Sequence, residues 1–152
     1  MRILLDSNVF LRAFEPAHPH FRASVESREL LRSQGHELLV VPQVLYEFWV
    51  VATRPKENNG LAMLPEEADK EIASILRFFR FRHDNRGIFG RWRELVVSLP
   101  VRGKQAHDAR LAASMQQHAI THLLTFNVAD FARYSFVTAI SPGAILAGQV
   151  IL

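Results

Sequence analysis

Short apolar runs alternate along the chain with longer stretches whose apolar positions recur at helical spacing. Ile3-Leu4-Leu5 is the first run. A parallel strand buried on both faces reads this way, as continuous apolar residues rather than an alternation. Asp6, Ser7 and Asn8 follow, all helix-capping types, and predict a short helix from Val9 to about Phe14 that stops near Pro16. From His20 to Gln34 the apolar positions Phe21, Val25, Leu30 and Leu31 keep helical spacing, and Gly35 ends the run. Leu38 to Val41 predicts a second buried strand, and Pro42 suits the first turn of a helix from Gln43 to about Thr53.

Arg54 to Leu64, with Pro55, two asparagines and Gly60, reads as a loop. Pro65-Glu66-Glu67 opens a helix to about Phe79, its acids at the positive end of the dipole. A further helix is expected from Arg91 to Ser98, and an alanine-rich one from Gly103 to Ala119. His122 to Thr125 and Phe136 to Ile140 predict a third and fourth strand, and Ser141-Pro142 caps a last short helix. Strands separated by helices imply a parallel α/β sheet covered on both faces, which binds ligands at the carboxyl ends of its strands. No repeat or linker divides the 152 residues, so one domain over 1–152 is expected.

Composition narrows the chemistry. With no cysteine, thiolate metal sites, disulfides and a cysteine nucleophile are excluded. Charged residues are 22% and hydrophobic ones 49%, which argues against disorder. Only three apolar residues separate Arg2 from Asp6, too few for a signal-peptide core. The stretch from Leu38 to Thr53 contains Pro42 and Glu47 and is shorter than the roughly 20 residues a bilayer span needs. A soluble, cytoplasmic protein is expected.

Four acids lie where a simple fold would put something else. Asp6 directly follows a buried strand, and Glu47 is the only charge between Leu38 and Thr53. Asp108 lies on the alanine-rich helix, and Asp130 shortly follows the third strand. Singly, each has an ordinary reading as a cap, a pairing partner, a dipole charge or a turn residue. Together they suggest a cluster held by a cation, because gathered like charges are costly to desolvate. Oxygen-only ligands favour a hard divalent ion.

These residues carry a resemblance. Leu4-Leu5-Asp6-Ser7-Asn8-Val9, Val41 to Phe48, His107 to Ala113 and Thr125 to Phe131 resemble, in order and spacing, the PIN-domain ribonucleases, particularly the VapC-like toxins of toxin–antitoxin pairs. The resemblance implies a sheet of four to five strands, an endoribonuclease activity dependent on Mg²⁺ or Mn²⁺, an antitoxin partner and a homodimer. It places Asp6, Glu47 and Asp108 on the family's acidic, metal-holding positions. Asn127 stands where many members carry the fourth acid, so Asn127 and Asp130 are assigned to that position jointly. Ser7, Asn8 and Thr125 are expected to support the carboxylates, and Lys104 and Arg110 to touch the RNA strand. A PIN-like module that binds RNA or protein without cutting is the alternative. A haloacid-dehalogenase-type phosphatase fits less well, because Asn8 stands where its second Asp is wanted, and neither a glycine-rich dinucleotide turn nor a P-loop is present.

Two features stay open. Arg77 to Arg93 holds six arginines, one acid and five aromatics. It reads as a partner or dimer surface, as a solvated helix face with Phe78, Phe79 and Phe81 partly in the core, or as an RNA contact. The pairs His18/His20 and His118/His122 suggest a metal site, but Ile120-Thr121 is expected to end the helix between the second pair. Zinc is therefore not expected, and His107 is expected to pack.

Overall fold

The computed structural model describes residues 1–150. Five strands form one parallel sheet: β1 (Arg2–Leu5), β2 (Glu37–Val40), β3 (Arg80–Phe81), β4 (His122–Leu124) and β5 (Thr138–Ile140). Their spatial order is β3-β2-β1-β4-β5. Ile3, Leu4 and Leu5 are consecutive and all buried, so helices cover both sheet faces, as the unbroken apolar run predicts. Leu38, Leu39 and Val40 repeat the pattern beside them, with Ile3 opposite Leu38 and Leu4 opposite Leu39.

The seven helices are α1 (Ser7–Arg12), α2 (Phe21–Ser33), α3 (Pro42–Thr53), α4 (Pro65–Phe78), α5 (Gly87–Ser98), α6 (Gln105–Gln117) and α7 (Pro142–Leu146). Short 3₁₀ turns occupy Lys56–Asn58 and Val128–Phe131. Phe10, Leu31, Phe48, Met115 and Phe131 bring these layers into the core that encloses the sheet.

Several boundaries differ from expectation by about two to four residues, and one strand was unexpected. Helix α1 begins at Ser7 rather than Val9, because the Asp6 carboxylate accepts the Ser7 backbone N–H and caps the helix there. Strand β3 was not expected. It is only two residues long and takes its place by pairing Leu39 with Arg80 and Val40 with Phe81 at the sheet edge. Helix α5 starts at Gly87, four residues before the expected Arg91, where the Asn85 side chain accepts the Gly87 N–H. A Cβ at Gly87 would lie 2.4 Å from the Gln117 side chain, so this glycine lets α5 close on α6.

The chain leaves β1 towards β2 on one side and later returns to β4 on the other. Such a reversal opens a crevice at the carboxyl ends of the two central strands. Asp6 follows β1 and Thr125 follows β4, and both border that crevice.

Candidate active site

The site is built outward from Asp6, which is 7% exposed. Its backbone N–H extends the ladder to the Leu124 carbonyl at 3.0 Å, which fixes the residue against β4. Oδ1 accepts the Ser7 N–H at 2.7 Å. Oδ2 accepts the Thr125 hydroxyl at 2.6 Å and the Asn8 amide at 2.9 Å. Burial pushes the Asp6 carboxyl up to about 6. The Thr125 hydrogen bond opposes that rise and the nearby Glu47 charge adds to it.

Glu47 comes to the same place from α3. The Ser7 hydroxyl lies 3.1 Å from Glu47 Oε2 and 3.3 Å from Asp6 Oδ1, so a single side chain spans both acids. Gln43, one turn earlier on α3, donates to Glu47 Oε1 and to the His107 carbonyl, each at 2.8 Å. These bonds tie α3 to the start of α6, where Asp108 lies in the first turn. The Asp108 carboxyl is raised by burial and then by the charges of Asp130 and Glu47, against lowering by His107 and Arg133. The four acids therefore face one region of the crevice. Among the described residues, none of them forms an ion pair with Lys or Arg.

A sequence model of the PIN domain matches residues 3–137. The chain belongs to the PIN-domain family. No curated protein matches it significantly. Solved structures share the fold. The VapBC2 complex of Rickettsia felis bound to promoter DNA gives a TM-score of 0.68 at 17% identity, covering 93% of this chain and 98% of that one. VapC20 of Mycobacterium tuberculosis, a sarcin–ricin loop cleaving toxin, gives 0.64 at 18% identity, covering 87% and 95%. FitAcB of Neisseria gonorrhoeae gives 0.66 at 16%, covering 93% and 98%. At these identities the likeness concerns the fold.

Within this PIN domain the expected site residues separate into groups. Asp6, Glu47, Ser7, Asn8 and Thr125 form one hydrogen-bonded set. Asp108 joins it through charge. Of the jointly assigned pair, Asp130 is the residue whose charge reaches Asp108. Asn127 is exposed and gives its backbone N–H to the Thr125 hydroxyl at 3.0 Å. Lys104 is exposed immediately before α6.

Arg110 is the other residue expected to touch the strand. Its guanidinium is engaged by Asp84 at 2.6 Å and by the Gln43 side-chain oxygen at 3.1 Å. His107 does not pack: it is exposed, and its carbonyl is what α3 holds. The Arg77–Arg93 segment is not one helix, because β3 and a loop interrupt it. Phe79 and Phe81 pack on the core while Phe78 is exposed. Sequence reasoning missed Gln43, although its spacing of four from Glu47 puts both on one helix face.

A PIN-domain carboxylate set of this kind has only oxygen donors. Among the described residues, no three His, Asp or Glu side chains converge tightly enough to hold an ion by protein ligands alone. A cation held here would have to be a hard one that keeps several waters and takes only one or two carboxylates directly. Burial raises both Asp6 and Asp108, and the charges of Glu47 on Asp6 and of Asp130 and Glu47 on Asp108 add a repulsion that a cation would relieve.

Proposed function

We propose that this PIN domain is a metal-dependent endoribonuclease, acting as the toxin of a toxin–antitoxin pair. The observation that carries this reading is the Ser7 hydroxyl spanning Asp6 and Glu47 at the crevice, with the charges of Asp108 and Asp130 opposite. The shared fold with a sarcin–ricin loop cleaving toxin supports ribonuclease chemistry. The shared fold with the VapBC2 complex supports an antitoxin partner.

Asp6, Glu47 and Asp108 would hold Mg²⁺ or Mn²⁺, one or two of them directly and the rest through the ion's waters. When bound, such an ion supplies stabilisation of phosphate charge and lowers the pKa of an attacking water. The chain's own residues prepare the place. Thr125 and Asn8 fix one oxygen of Asp6, and Ser7 fixes its spacing to Glu47. Gln43 orients Glu47 from the other side. Asp130 and Asn127 lie at the mouth, where Asp130 accepts a proton or orients water near Asp108. Exposed Lys104 meets phosphate oxygens as the strand approaches. The protein works in the cytoplasm as a homodimer in this reading.

The test is cleavage of a mixed RNA pool by purified protein with Mg²⁺, with EDTA, and as Asp6→Asn. Cutting that needs the metal and vanishes in the variant establishes the nuclease and its site. An antitoxin-free, correctly folded protein that cuts no RNA in any divalent ion would overturn it.

A further inference from the structure

The Phe89–Trp92 pair on α5 is not used by the carboxylate cluster. Phe89 is 65% exposed, although a phenylalanine gains most from being buried. Its ring stacks on Trp92, centroids 5.8 Å apart and planes inclined by 28°. The Trp92 indole N–H donates to the Ala106 carbonyl at 2.9 Å, which pins the ring to the start of α6, two residues before Asp108. The pair borders a cavity of about 380 Å³ together with Asp84, Asn85, Ile88 and Arg110.

Two relationships join this hollow to the acids. Asp84 and Asn85 lie in the loop leaving the carboxyl end of β3, the same end of the parallel sheet at which β1 delivers Asp6. Arg110 lines both this cavity and a second one, of about 620 Å³, bordered by Ser7, Gln43 and Glu47. The guanidinium, held by Asp84 and Gln43, therefore stands between an aromatic pocket and the acidic crevice. Arg86 and Arg93 are exposed on either side of Phe89 in the sequence, with the acids Asp84 and Glu94 exposed beside them.

We propose that the Phe89–Trp92 pocket is a nucleobase subsite, which takes an unpaired base of the RNA strand adjacent to the scissile phosphate. The inference rests on the ribonuclease reading and adds to it a seat for one base of the strand. A base presents a flat apolar face to the exposed Phe89 ring, and base–aromatic stacking tolerates any sequence. Asp84 and Asn85 border the pocket with acceptor and amide groups suited to a base edge. Arg86 and Arg93 attract the phosphates that flank it. A paired base is stacked within its duplex and cannot enter.

The test measures binding of a short fluorescein-labelled single-stranded RNA by anisotropy, in an Asp6→Asn background so that the strand is not cut. Phe89→Ala is expected to weaken binding roughly five- to a hundred-fold, and Phe89→Tyr to restore it to within about twofold. With Trp49→Phe leaving Trp92 as the sole indole, the strand quenches its emission and an abasic strand of equal length does not. Equal binding of the Ala and Tyr variants, or of the abasic strand, would overturn the subsite. If the wild type still cuts the RNA pool in that case, the nuclease reading stands without it. A wild type that neither binds nor cuts RNA removes both. Loss of a dimer in Phe89→Ala, with RNA affinity unchanged, makes the face a protein contact and also overturns the subsite.

Discussion

Thr125 donates its hydroxyl to Asp6 at 2.6 Å, joining the ends of β4 and β1 across 119 positions of sequence. The same oxygen accepts from the Asn8 amide and the Asn127 N–H. Thr125→Val keeps the side-chain shape and removes all three bonds. The variant is expected to lose about 1–3 kcal/mol of stability in denaturant melts, with Thr125→Ser recovering most of it.

The raised Asp6 carboxyl sets the pH dependence of the metal-free fold. Between the ordinary carboxylate value and about 6, the folded protein binds more protons than the unfolded chain. Stability contributed by this group is therefore greatest in acid and falls as pH rises through that window, by up to roughly 3 kcal/mol, then levels. Asp108 is raised as well and acts in the same direction. Chemical denaturation across pH with a chelator present checks this. In Asp6→Asn the slope is expected to flatten, and a slope as steep as in the wild type would refute the assignment.

Adding a divalent ion at neutral pH is expected to reverse that loss. An ion at about a hundred times its dissociation constant raises stability by about 2.7 kcal/mol. Thermal melts with Mg²⁺ and Mn²⁺ are expected to shift upward in the wild type and to stay fixed in an Asp6→Asn, Asp108→Asn double variant.

Gln43 links three groups: Glu47, the His107 carbonyl and Arg110. Gln43→Ala leaves every carboxylate in place and frees Glu47 to reorient. Single-turnover cleavage is expected to slow about tenfold, as loss of about one well-placed hydrogen bond implies, with RNA affinity nearly unchanged. Arg110→Lys, which cannot span both Gln43 and Asp84 with a planar fork, is expected to show a smaller effect in the same direction. An affinity loss without a rate loss would count against the positioning role.

How much of this was legible in the sequence depended on whether a residue broke its local pattern. Strands β1 and β2 announced themselves because burial on both faces demands unbroken apolar runs. Asp6 and Glu47 stood out as charges in such surroundings. Gln43, lying between Pro42 and Val44, carries no charge to mark it, and its role depends on α6 arriving at His107. The Arg110–Asp84 pair is hidden for the same reason, since its residues meet only once β3 has joined the sheet edge. Strand β3 itself is specified by the hydrogen bonds β2 offers, since Arg80 and Phe81 show no strand pattern of their own.

The switch in strand order has a consequence for synthesis. Asp6 leaves the ribosome well before Glu47 and Thr125, the distant residues that complete its surroundings. During translation, β1 can pair with β2 early, but its other edge stays open until β4 emerges. The nascent chain therefore carries Asp6 without its Thr125 partner until β4 has been made. A site that cuts RNA would thus be assembled only after its message has been read past β4.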